Sequence, residues 1–181
     1  HKDLEYIYSS GEHLVRLIND LLDLSRAEIG ELSIVPELIS THTFLSDVFA
    51  SFTRSLDSQV KWSLDLPDDL PVIQADQARL RQIILNLLSN AQKFTFEGQV
   101  TLGAAIAPPH LHIWVQDTGS GIPDKLKSRV FDSFVTGEYT NRQQHGIGLG
   151  LTISRKLVML HGGRLAFESE INKGSTFHVY L

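Results

Sequence analysis

The sequence predicts an α+β fold: a two-layer α/β sandwich, with helices covering a mixed sheet, preceded by a long N-terminal helix. Three observations predict it. Residues 1–29 carry a continuous seam of apolar and small residues at alternating spacings of three and four. After residue 30 the apolar spacing switches repeatedly between the helical period and strict alternation. Helices and strands are intermixed, and neighbouring strands are mostly placed to pair antiparallel, which argues against a wholly parallel sheet.

Composition sets the outer limits. The 181 residues suit one domain with an appendage. Hydrophobic residues make up 42% and charged residues 20%, enough to build a core and too apolar for disorder. The net charge is −5 and no Lys/Arg cluster stands out, so no nucleic-acid partner is expected. The absence of cysteine excludes disulfides, thiolate catalysis and thiolate zinc sites, and fits a reducing compartment. No apolar run reaches the ~18 residues of a membrane span, so no membrane contact is expected. No leader is visible, and the chain opens inside a helical pattern, so a fragment of a longer protein is expected.

Each element follows from its pattern. In residues 1–29 the seam is Leu4, Ile7, Gly11, Leu14, Ile18, Leu21 and Ser25, widened by Leu17, Leu22 and Leu24. Such a helix either packs on its own domain or forms half of a dimerising hairpin. The charges at Lys2, Asp3, Glu12, Arg16, Asp20, Asp23 and Arg26 lie mostly off the seam, which favours the hairpin. Gly30 is a candidate C-cap, so residues 1–30 are set apart from 31–181. "ELSIVPELIS" reads as a short strand interrupted at Pro36. Residues 41–57 read as a helix with Phe44, Leu45, Val48, Phe49, Phe52 and Leu56 inward. "VKWSLDL" alternates as a strand, and "PDDLP" breaks it. Asp76 can N-cap a helix running to about Lys93. "QVTLGAAIA" and "LHIWVQD" form a hairpin around Pro108-Pro109. A helix from about Leu149 to Leu160 and the strands "GRLAFESE" and "STFHVYL" complete the chain.

Four stretches carry chemistry, the last being "NKGSTF", which places Gly174 before a strand with Thr176. In "RLRQIILNLLSNAQKFT" the residues Leu80, Ile83, Ile84, Leu87, Leu88 and Ala91 form an apolar face, while Arg79, Gln82, Asn86, Asn90 and Lys93 gather on another. A solvated face favours Glu, Lys and Arg, because Asn is a poor helix former. An amide oxygen is instead a neutral ligand for Mg²⁺, and an ammonium suits a polyphosphate. "IWVQDTGSGIP" ends a strand at Asp117 beside Gly119 and Gly121. The carboxylate can accept from an exocyclic amine such as that of adenine, or the segment is simply a turn. In "RVFDSFVTGEYTNRQQHGIGLGLTISRKL", Phe131 and Phe134 are expected to anchor a loop on the core, and residues 136–146 read as a mobile lid. The glycines that follow fit neither common phosphate loop. A dinucleotide fingerprint would need glycine where Leu151 stands, and a P-loop would need Gly-Lys-Ser/Thr. Backbone amides of residues 148–151, at a helix start, can still bind phosphate.

Taken in order, these stretches resemble the nucleotide-binding domain of sensor histidine kinases, a branch of the GHKL superfamily that includes DNA gyrase and the mismatch-repair ATPases. "LNLLSNAQKFT" resembles its N box, "DTGSGIP" its G1 box, "FDSFVTG" its F box, "HGIGLGL" its G2 box and "KGSTF" its last glycine motif. The N-terminal "HLVRLINDLLDLSRAEIGELSI" resembles the second helix of the dimerisation and phosphoacceptor domain.

The resemblance implies a Bergerat-type ATP-binding fold with ATP and Mg²⁺ as cofactors. Asn86 would hold the metal, with Asn90 and Lys93 near the phosphates. Phe94, Ile122 and Phe134 would border the nucleotide. Asp117 would bond the adenine amine, directly and through a water shared with Thr176, and Gly119 and Gly121 would let the base approach. Gly146, Gly148, Leu149, Gly150 and Leu151 would bind phosphate, and Arg142 would approach the γ-phosphate. Hydrolytic members carry a glutamate where Gln82 stands, and an amide cannot act as a general base. A phosphoacceptor motif of the type His-Glu/Asp-x-x-Thr/Asn-Pro is absent, and Ile147 stands where the family often has threonine. The implied activity is therefore transfer of the γ-phosphoryl group to a histidine outside the fragment. A homodimer, a response-regulator receiver domain as partner and a cytoplasmic location are implied with it. The alternatives are a nucleotide-sensing module without phosphotransfer and a hydrolytic ATPase of the same superfamily.

Overall fold

The computed structural model describes residues 11, 14–15, 18–19, 21–27, 29–54, 56, 59–135 and 148–181. The described residues between 11 and 27 are helical. Gly30 follows with φ 74°, and the N–H groups of Glu31 and Leu32 turn back onto the Arg26 carbonyl, satisfying helix-end acceptors as a C-cap does. Residues 31–36 have no regular structure. Strand β1 (Glu37–Ser40) begins only after Pro36, which brings no N–H to a ladder.

Helix α1 (Thr41–Thr53) ends four residues short of the predicted limit. It lays Phe44, Leu45 and Val48 into the core and sets Phe52 against Trp62 of β2 (Val60–Asp65), ring centres 5.5 Å apart. Strand β3 (Val72–Ala75), not foreseen in the sequence, pairs with β1 as a separate two-stranded antiparallel sheet. Helix α2 (Gln77–Phe94) starts at Asp76, whose carboxylate accepts the Arg79 N–H at 3.0 Å, and buries the six apolar residues expected of it.

Strands β4 (Gly98–Ala107) and β5 (His110–Asp117) form the predicted hairpin around Pro108-Pro109. A one-turn helix α3 (Asp124–Lys127) follows the glycine loop after β5. Helix α4 (Gly150–Leu160) and strands β6 (Arg164–Glu170) and β7 (Gly174–Tyr180) end the chain. The main sheet runs β2-β4-β5-β7-β6, with β2–β4 parallel and the other pairs antiparallel. One face carries Val100, Leu102, Ile113, Val115, Phe177 and Val179 into a core shared with Ile83, Leu87, Ile153 and Leu157 of the helices. The α2–α4 packing brings the polar edge of α2 to the start of α4.

Candidate nucleotide site

The site lies where α2, the start of α4, the end of β5 and the β6–β7 turn converge. Asn86 stands on α2 opposite the first turn of α4. Its Nδ2 donates to the Gly150 carbonyl and to Ser154 Oγ, each at 3.3 Å. Gly150 leaves ordinary van der Waals space beside that amide, 3.5 Å from a Cβ position to Asn86 Cγ. The orientation leaves Oδ1 without a partner among the described residues. Asn90 is half-buried further along α2. The Lys93 ammonium lies over the Phe94 ring at 5.1 Å, and burial lowers its pKa.

Helix α4 has no side-chain cap: Leu149 precedes it, buried, and contributes only backbone. The first-turn N–H groups of Gly150 and Leu151 are therefore donors at the positive end of a helix dipole. Gly148 has φ 75°, and a Cβ there would collide with the Val135 backbone, so only glycine passes this point without strain. Its carbonyl accepts the Phe134 N–H at 3.1 Å. Gly146, Arg142, Ile147 and the 136–146 lid lie outside the described residues.

Asp117 ends β5 and is 6% exposed. Oδ1 accepts the N–H of Gly119 at 2.8 Å and of Ser175 at 3.3 Å. Oδ2 has no hydrogen bond among the described residues. Burial raises the carboxyl pKa; the two N–H groups pull the other way without cancelling it. Around the carboxylate, Ile122 N–H donates to Ser169 Oγ at 2.8 Å. Ser169 donates in turn to the Gly174 carbonyl and lies 3.0 Å from Ser175 Oγ. These bonds fasten the glycine loop after β5 to the β6–β7 turn.

Two expectations are corrected. Thr176 does not stand by Asp117: it pairs with Gln116 and Glu168 and shares their face of the sheet. Strand alternation puts Ser175 opposite Asp117, on the side where Phe177 and Val179 are buried. That alternation was readable in "STFHVYL", whereas Ser154 and Ser169 carried no such signal. Phe134 does not anchor its loop on the core; it is 61% exposed, with φ 65°. Phe131 alone does so, edge-on to Phe167 at 5.6 Å. A Cβ at Gly119 would collide with the Phe94 carbonyl and one at Gly121 with the Glu170 carbonyl, so close packing within the protein requires both glycines.

Gln82, one turn before Asn86, is engaged elsewhere. Its Nε2 donates to Asp23 Oδ2 at 3.1 Å, and its Oε1 accepts from Arg79 at 3.0 Å. Three described histidines are also occupied away from Asn86. His112 and His178 hydrogen-bond to each other at 3.0 Å on the sheet face opposite the helices. His161 accepts the Asp76 N–H and donates to the Leu157 carbonyl.

Comparison with known proteins extends this geometry. Residues 75–181 match the family described as histidine kinase-, DNA gyrase B-, and HSP90-like ATPase. Over 98% of its length the chain is 38% identical to the circadian input-output histidine kinase CikA of Synechococcus elongatus. Over the same share it is 34% identical to the signal transduction histidine-protein kinase BarA of Escherichia coli. It spans only 24% and 20% of those proteins. Full-length ShkA, solved in complex with AMPPNP, superposes on 95% of this chain with a TM-score of 0.82 and 32% identity, over 36% of its own length. The histidine kinase AdeS of Acinetobacter baumannii, at 21% identity, covers 98% of this chain and 82% of its own with a TM-score of 0.80, and shares the fold.

Proposed function

The chain belongs to the family of histidine kinase-, DNA gyrase B- and HSP90-like ATPases and carries the ATP-binding catalytic domain of sensor histidine kinases; on that premise we propose that it holds Mg·ATP for transfer of the γ-phosphoryl group to a histidine outside the fragment. Asp117 carries the reading. A carboxylate buried against its own ionisation, with one oxygen fixed by two N–H groups and the other without a hydrogen bond among the described residues, suits an amine donor such as the 6-amino group of adenine. Ser175, which faces Asp117 across the β5–β7 pair, rather than Thr176, would share a water with it.

The residues present also fit the metal. Among the described residues no group of three or more His, Cys, Asp or Glu side chains forms a cage. Asn86 instead offers one neutral oxygen, which suits Mg²⁺ that keeps waters and takes its other ligands from phosphates. Bound there, the ion would neutralise charge on the transferring phosphoryl group. The chain's own part is to fix the adenine at Asp117, to meet phosphate oxygens with the N–H groups of Gly150 and Leu151, and to supply cation charge from Lys93.

Gln82 argues against hydrolysis. It is an amide where a water-activating base would stand, and it is held by Asp23 and Arg79. The apolar side chains of Leu14, Val15, Ile18, Leu21 and Leu22 are 50–59% exposed on the N-terminal helix, which supports a homodimer formed through a helical hairpin. A response-regulator receiver domain as downstream partner and a cytoplasmic setting follow from the same reading; no helix among the described residues is long and apolar enough to cross a membrane. Labelled ATP incubated with the chain and an acceptor helix of the family type should yield acid-labile phosphohistidine. Rapid phosphate release without an acceptor would instead support the ATPase alternative.

A further inference from the structure

A second polar cluster lies where the N-terminal helix meets α2. Asp23 is 8% exposed, and its Oδ2 accepts from Arg79 Nη1 at 2.7 Å and from Gln82 Nε2 at 3.1 Å. Arg79 also donates to Gln82 Oε1, so the three side chains close a ring of hydrogen bonds. A carboxylate so far from water is tolerated only while paired. Gln82 and Arg79 stand one and two turns before Asn86 on α2.

The connecting segment is gathered at the same point. The Val35 N–H donates to Asp76 Oδ2 at 2.9 Å, while Oδ1 of the same carboxylate caps α2 through the Arg79 N–H. Among the described residues of the helix, Leu24 is buried and Ala27 partly so, while Leu21 and Leu22 beside them are exposed. Polar side chains therefore make part of the joint. Polar joints between units of one chain are the kind that open and close.

We infer that Asp23, Arg79 and Gln82 form a releasable clasp that sets the pose of the ATP-binding domain on the helix preceding it. With the clasp open, the domain pivots on residues 31–36, which have no regular structure. Gln82 is thus a positioning residue that ties α2 to the helix. That the pivot serves delivery of ATP to an acceptor rests on the kinase reading above; the clasp itself does not.

The chain contains no cysteine, so a spin-label pair can be installed cleanly at Arg26→Cys and Lys61→Cys, both exposed, with the labelled chain diluted in excess unlabelled chain so that the distance is read within one copy. Pulsed electron paramagnetic resonance should give one narrow distance distribution for the otherwise unchanged chain. Asp23→Ala should broaden it at least twofold, and Asp23→Glu should partly restore it. The double variant Asp23→Arg with Arg79→Asp should narrow it again, which a variant that merely misfolds cannot do. AMPPNP affinity should stay within about twofold throughout. Superimposable distributions for Asp23→Ala and the unchanged chain would overturn the clasp, as would failure of the charge exchange to restore order in a folded protein. Failure of the unchanged chain to bind AMPPNP would overturn the kinase reading and leave the clasp standing.

Discussion

Asp117 is held at a cost to the fold. Its folded carboxyl keeps a proton to higher pH than the ordinary value of 3.8. Stability from that shift is therefore full below about pH 3.8 and is lost as pH rises through the folded value. At neutral pH the buried charge opposes folding. Asp117→Asn should thus leave the melting temperature unchanged or raised, as calorimetric scanning would show, because the amide oxygen still accepts from Gly119 and Ser175. If Asp117 reads adenine as proposed, nucleotide binding should fail on acidification at a higher pH than an ordinary carboxylate would allow. The neighbouring pair on β7 gives a sharper contrast. Thr176→Val should leave AMPPNP affinity within about twofold, whereas Ser175→Val should lower it about 5- to 10-fold, the loss of a single hydrogen bond. A fluorescent nucleotide titration reads both. Thr176 was misplaced from sequence because a threonine was matched to a motif by type. The alternation from Phe177 and Val179 points instead to Ser175.

Helix α2 was the most legible element. Its six buried residues recur at the helical period over three turns, and Asp76 marks the start. Leu87 is 1% exposed between α2, the sheet and α4, so Leu87→Ala should cost about 2–5 kcal/mol in urea unfolding. A loss below 1 kcal/mol would mean that the two helices are not packed as described. Strand β3 was not legible, because its four residues lie close behind Pro67 and Pro71 and its pairing partner β1 is over thirty residues away. Hydrogen bonds of that range leave no local pattern. The Asp23–Gln82 contact, 59 residues apart in sequence, was invisible for the same reason. Glycine spacing is the sequence feature behind the proposed phosphate side of the site. Why Gly119 and Gly148 must be glycine needed the structure, because the colliding atoms are the Phe94 and Val135 backbones.

At the scale of the whole molecule, one sheet face and three helices make a core, and the nucleotide site opens at the end of β5 beside the β6–β7 turn and the start of α4. The mixed sandwich was legible because period and order together restrict the arrangement. The face of the N-terminal helix bearing Leu14, Ile18 and Leu21 remains uncovered. Sedimentation should show a dimer that Leu14→Glu with Leu21→Glu converts to monomer; an unchanged dimer would place the interface elsewhere. The central claim is that this fold reads ATP through the buried Asp117 carboxylate. Its most direct test is isothermal titration of the chain and of Asp117→Asn with AMPPNP in the presence of Mg²⁺. Saturable one-to-one binding by the unchanged chain and a loss of about 10- to 150-fold in the variant, as for a hydrogen bond to a charged group, are predicted. Equal affinities in the two proteins would contradict the account.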